Sequence, residues 1–155
     1  MTASVERRSS ERPAREIRHR AREAAVQMLY QWEVGKVSMF EVGQTFWTDG
    51  PLESEALPDD LRAFATRLAM GVAGTVTDLD PLIGQAADNW RIERMNVLDR
   101  LILRLAVYEF VHEPETPGKV IINEALELAR TFSTDDAVRF IYGVLDAVRR
   151  SLSRE

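Results

Sequence analysis

The chain has 155 residues, 45% of them hydrophobic and 29% charged, enough apolar mass for one buried core. It has no apolar run approaching the ~20 residues that a membrane-spanning helix needs, and its charged beginning (Glu6, Arg7, Arg8, Glu11, Arg12) is unlike a secretory signal. With no cysteine, disulfides, thiol catalysis and cysteine-ligated zinc or iron–sulfur sites are excluded, and the cytoplasm is the expected compartment.

The net charge of −5 hides an asymmetry. Residues 1–22 hold seven arginines against three glutamates, while the rest of the chain holds 13 basic and 22 acidic residues. An acidic body repels polyanions broadly, and a basic head attracts them at one end. All the basic residues of the head are arginine, which forks phosphate oxygens and stacks on bases as lysine does not.

Residues 1–12 carry almost no apolar side chains and are expected to form a disordered basic arm, ahead of one helical domain over 13–155. From about Pro13 to Val34, Ile17, Ala21, Ala24, Ala25, Met28 and Trp32 form one apolar stripe at helical spacing. Beside that stripe, Arg15, His19, Arg22 and Tyr30 fall on one flank; Arg20 and Gln27 fall on the other, with Arg18 at the edge. Such a surface can neutralise phosphates while Tyr30 and Gln27 reach unpaired bases. The plainer alternative is that the arginines are solvated or paired with Glu16 and Glu23.

A short amphipathic helix is expected between Ser38 and Trp47, then a loop from Asp49 to Pro58 containing Gly50 and Pro51. A helix should follow from Pro58 to about Thr75, with Gly71 and Gly74 available for close helix approach. Another should start near Asp78 or Asp80, with Pro81 in its first turn and Trp90 near its end. Asn96 can cap a strongly apolar helix from Val97 to about His112, which Pro114 and Pro117 end. A helix from about Lys119 to Phe132 and a last one from Asp135 to about Ser151, capped by Thr134, complete the chain. No segment alternates with period two for long enough to make a sheet, so the expected fold is an all-α bundle of six or seven helices.

Three segments in order carry a family signature: Arg18-His-Arg-Ala-Arg-Glu-Ala-Ala-Val-Gln-Met-Leu-Tyr30; Met95-Asn-Val-Leu-Asp-Arg-Leu-Ile-Leu-Arg-Leu-Ala-Val-Tyr-Glu109; and Val120-Ile-Ile-Asn-Glu-Ala-Leu-Glu-Leu-Ala-Arg-Thr-Phe132 running on to Phe140-Ile-Tyr-Gly-Val-Leu-Asp146. In this the chain resembles the NusB family of transcription antitermination factors. The resemblance implies two packed three-helix subdomains. It also implies binding of the boxA element of nascent ribosomal RNA together with the ribosomal protein NusE, and loading onto RNA polymerase. Monomers and homodimers are both consistent with it. The family reads Phe-Val-Asn-Gly-Val-Leu-Asp where this chain has Tyr142, exchanging an amide for a ring.

By the same resemblance the turn Phe132-Ser-Thr-Asp-Asp136 and Phe140 lie beside the RNA track. Asp135 and Asp136 put carboxylates at a helix N-terminus, where they would repel phosphate or simply stabilise the helix. Asp99 and Arg100 are candidates for the NusE-facing surface, although Asp99 is also placed to complete a capping box after Asn96. Glu109, Asn123 and Glu124 read as polar staples between helices. No cofactor or metal motif is present, and the two histidines, His19 and His112, lie far apart in the chain, so no enzyme is expected. Two other readings stay open. One is a module like the N-terminal domain of ribosomal RNA cytosine methyltransferases, whose glycine motifs and cysteine nucleophile are not found in these 155 residues. The other is a helical adaptor that binds only protein.

Overall fold

The computed structural model describes residues 2–49, 57–88 and 91–155, with side chains from Arg15 onward except that of Asp49. Among them are six long helices: α1 (Thr2–Glu33), α2 (Met39–Asp49), α3 (Asp59–Ala86), α4 (Val97–His112), α5 (Gly118–Phe132) and α6 (Asp135–Ser151). A single 3₁₀ turn at Ile92–Arg94 precedes α4, and no strand occurs among the described residues. The all-α bundle expected from the sequence is what forms.

Helix α4 is the centre of the bundle. Every residue from Leu101 to Phe110 is buried, so the helix is covered on all sides by α1, α3, α5 and α6. Its start is set by Asn96, whose side-chain oxygen accepts from the Leu98 N–H at 2.9 Å. Its end is covered from a distance. The Arg154 guanidinium donates to the carbonyls of Phe110 (3.0 Å), Glu113 (2.7 Å) and Thr116 (2.8 Å), in the last turn of the helix and the turn that follows it. Helix α6 starts as expected, with Thr134 Oγ1 accepting from the Ala137 N–H at 3.2 Å.

Two boundaries differ from the sequence pattern. The backbone of α1 is helical from Thr2, ahead of the start expected near Pro13; the side chains of residues 2–14 lie outside the described residues. The two helices expected over 58–90 are one kinked helix, α3. Thr75 leaves helical geometry (φ −127°, ψ 19°) while its hydroxyl bonds back to the Gly71 carbonyl at 2.7 Å. The kink falls where the first of the two was expected to end. Pro81 sits inside the second half rather than at a fresh start, and Asp80 takes a guanidinium instead of a cap, Arg104 donating to it at 2.9 and 2.8 Å. The loop expected over Asp49–Pro58 falls largely on residues 50–56, and the helix end expected near Trp90 on residues 89–90; both lie outside the described residues.

Close approach of α3 and α4 depends on Gly71. A Cβ there would lie 2.2 Å from the Tyr108 ring, so only hydrogen fits. Gly74 has no such role, because nothing stands within 4 Å of the corresponding position.

Candidate nucleic-acid interface

Helix α1 divides its arginines between the core and the surface. Arg15 and Arg18 are exposed, Arg20 is half-buried, and Arg22 is buried. This corrects the expectation that Arg22 faces outward. The stripe of small and apolar residues read from the sequence omitted Val26 and Leu29, both of which are buried and lie one and two turns beyond Arg22 on its own side. The guanidinium therefore points inward and meets Glu109 of α4, with Nη2 to Oε1 at 2.8 Å and Nε to Oε2 at 3.1 Å. It also lies 5.5 Å from the centre of the Phe64 ring. Burial lowers the affinity of Arg22 for its proton, but the hydrogen bonds and charge of Glu109 outweigh that and hold it more firmly than usual. Glu109, buried, and Glu124, half-buried, are the staples between helices expected of them, whereas Asn123 is exposed.

His19 is also engaged. Its Nδ1 is 2.7 Å from Glu124 Oε2 on α5 and its Nε2 is 2.9 Å from Glu23 Oε1 one turn along α1. With Arg15, Glu16, Arg20, Glu124 and Glu127 it lines an open groove between α1 and α5.

Further along α1 the character of the surface changes. Gln27, Tyr30, Val26 and Gln31 meet Phe46, Leu98 and Phe132 around a pocket of about 370 Å3. Three residues singled out in the sequence, Gln27, Tyr30 and Phe132, thus come together from helices α1 and α5. The sequence reading missed Gln31, one turn beyond Gln27, and the apolar floor of Phe46 and Leu98. The pocket offers ring faces and amide groups, the chemistry that an unpaired base uses. The other two candidates do not line it. Asp136 is exposed in the first turn of α6, and Phe140 is half-buried against the core.

The two residues read as partner-facing are held within the chain. Asp99 accepts from Ser133 Oγ at 2.6 Å, tying the start of α4 to the α5–α6 turn. Arg100 donates to Glu33 at 2.9 Å and to the Ile92 carbonyl at 3.3 Å. Tyr142 is half exposed (51%) on α6. Among the described residues no cluster of three or more histidine and carboxylate side chains could hold a metal, and no helix is long and apolar enough to cross a membrane.

The NusB family model matches residues 19–150, most of the chain. The chain belongs to the NusB family. The transcription antitermination protein NusB of Koribacter versatilis is 45% identical over 138 residues, which cover 89% of this chain and 92% of that protein. The NusB of Symbiobacterium thermophilum is 42% identical, covering 87% and 90% of the two chains. Among solved structures, T. maritima NusB superposes with a TM-score of 0.74 at 30% identity, over 86% of this chain and 90% of that one. A NusB chain solved with NusE and double-stranded RNA has the same fold, with a TM-score of 0.76 at 21% identity over 88% and 98%. The curated NusB relatives are named as transcription antitermination proteins, a role without a catalytic step, in line with the reading that this chain is not an enzyme.

Proposed function

We propose that this chain is a transcription antitermination factor that binds the boxA element of nascent ribosomal RNA with NusE and is loaded with it onto RNA polymerase in the cytoplasm. The observation that carries the reading is the arrangement along α1. Arg15, Arg18 and Arg20 lie near its middle, and the pocket that Gln27 and Tyr30 form with Phe132 lies further toward its C-terminal end. Phosphates bind the guanidinium groups, and an unpaired base enters the pocket against Tyr30 and Phe132 while Gln27 and Gln31 bond its edge. Asp99 and Arg100, near the turn after Phe132, form part of the NusE-facing surface through the faces that their internal bonds leave open. The solved complex of NusB with NusE and RNA supports the pairing of these partners.

The test is titration of a fluorescent single-stranded boxA RNA, with and without the NusE-like protein. Binding that weakens steadily with salt and strengthens with the partner is expected. Absence of RNA binding in both conditions would leave the protein-only adaptor as the better reading.

A further inference from the structure

Glu124 was not among the residues that the RNA reading needed, yet it touches one of them. Its Oε2 lies 2.7 Å from His19 Nδ1, and the other ring nitrogen, Nε2, lies 2.9 Å from Glu23 Oε1. Carboxylates only accept, and a neutral imidazole has a single N–H. Both contacts are satisfied together only when the ring carries two protons and a positive charge. In agreement, the hydrogen bond to Glu124 is the main cause that raises His19 above its ordinary 6.5, with burial opposing and the charges of Glu124, Glu23 and Glu127 adding. Burial pushes Glu124 up, but its bond to His19 and the charges of Arg22 and His19 bring it below its ordinary 4.5.

The charged groups around the imidazole are Arg15, Glu16, Arg20 and Glu23 from α1, with Glu124 and Glu127 from α5, the last paired with Arg130. With His19 protonated, cations and carboxylates balance in number. Without that proton the groove holds one negative charge in excess, which weakens its attraction for an approaching phosphate.

We propose that Glu124 is a positioning residue of the RNA-binding face: acting through His19, it clasps α1 to α5 and favours the positively charged form of the ring in the groove. The inference rests on the RNA reading above, and its test separates the two. The His19 ring is followed by proton NMR in a His112→Gln background, which leaves one histidine signal. In parallel, affinity for the single-stranded boxA RNA is measured at constant salt from about pH 5.5 to about pH 8.5, a window that spans ordinary histidine titration.

In the parent the His19 midpoint lies above 6.5, and RNA affinity holds until pH rises through that midpoint. In Glu124→Gln the midpoint moves down, and affinity falls roughly three- to tenfold at the correspondingly lower pH, the effect of one charge near a phosphate. His19→Arg in the Glu124→Gln background gives a flat profile, because arginine does not titrate there. A parent midpoint at or below 6.5, or a flat RNA profile in Glu124→Gln, overturns the proposal. Should Glu124→Gln not fold, the parent titration and Glu23→Gln are judged by the same criteria. A parent that binds RNA at no pH removes the RNA reading and this role with it, while a raised His19 midpoint would then establish the clasp alone.

Discussion

Replacing Arg22 tests whether this arginine serves the core or the surface. The side chains of Arg22 and Glu109 are only 5% and 2% exposed, and they share hydrogen bonds at 2.8, 3.1 and 3.3 Å. Arg22→Met removes one partner and leaves the Glu109 carboxylate buried without a counter-charge, at a cost of about 3–5 kcal/mol. For a chain of this size each kcal/mol moves the melting temperature by about 2–4 °C, so a fall of roughly 6–20 °C is expected. The double variant Arg22→Met with Glu109→Leu removes both charges and should recover most of that loss, since replacing a whole buried pair by apolar groups is often neutral or stabilising. Urea and thermal unfolding of the parent, both single variants and the double variant form a closed cycle that isolates the coupling. RNA titration of the double variant completes the assay: a core role predicts parent-like affinity. A single variant as stable as the parent, or a stable double variant that has lost RNA binding, would refute the assignment of Arg22 to the core.

Three further outcomes follow from other parts of the molecule. Gly71→Ala drives a methyl group into the Tyr108 ring, where a Cβ would sit at 2.2 Å, and should cost about 1–3 kcal/mol in urea unfolding, whereas Gly74→Ala should not destabilise. Asp136→Asn should raise RNA affinity without the partner by about threefold, by removing a carboxylate from the α6 N-terminus that Thr134 already caps; unchanged affinity would assign Asp136 to helix stability alone. The His19–Glu124 contact gives its own pH window. His19 contributes fully below 6.5, and its share is lost as pH rises through its raised folded value; Glu124 contributes above 4.5 and loses its share as pH falls through its lowered one. The stability deficit of Glu124→Gln should therefore be largest between those limits and shrink on both sides, as urea midpoints across pH will show.

The sequence was most informative where structure is local. Asn96 and Thr134 are side chains that bond a backbone N–H two or three residues on, so their roles follow from neighbouring residues alone. The apolar residues of α4 likewise announce a helix with a broad buried face, although not that Arg104 and Glu109 are buried with them. Less visible were contacts between residues distant in the chain. Arg22 was misplaced because the apolar stripe was drawn too narrow, and only the packing of α4 and α3 against α1 shows that Val26 and Leu29 belong to it. The hold of Ser133 on Asp99 and of Arg154 on the end of α4 join segments far apart in sequence, and no spacing rule signals either. The helix break before Pro81 was placed correctly but became a kink, because the Thr75 hydroxyl takes the Gly71 carbonyl while the helix continues beyond it. At the proposed site, Gln27, Tyr30 and Phe132 were legible as chemistry-bearing residues, but the Phe46 and Leu98 floor that makes them a pocket comes from the way α2 and α4 each pack against α1.

The central claim is that Arg15, Arg18 and Arg20 of α1 grip RNA from a fixed scaffold. It is tested most directly by the triple variant Arg15→Gln, Arg18→Gln and Arg20→Gln, titrated with single-stranded boxA RNA at several salt concentrations beside a thermal melt. The account predicts a parent-like melting temperature and affinity reduced at least about tenfold, with the slope of log K against log salt shallower by about 2, the signature of three lost phosphate contacts on a single strand. A triple variant that binds with the parent's affinity and salt slope would contradict it.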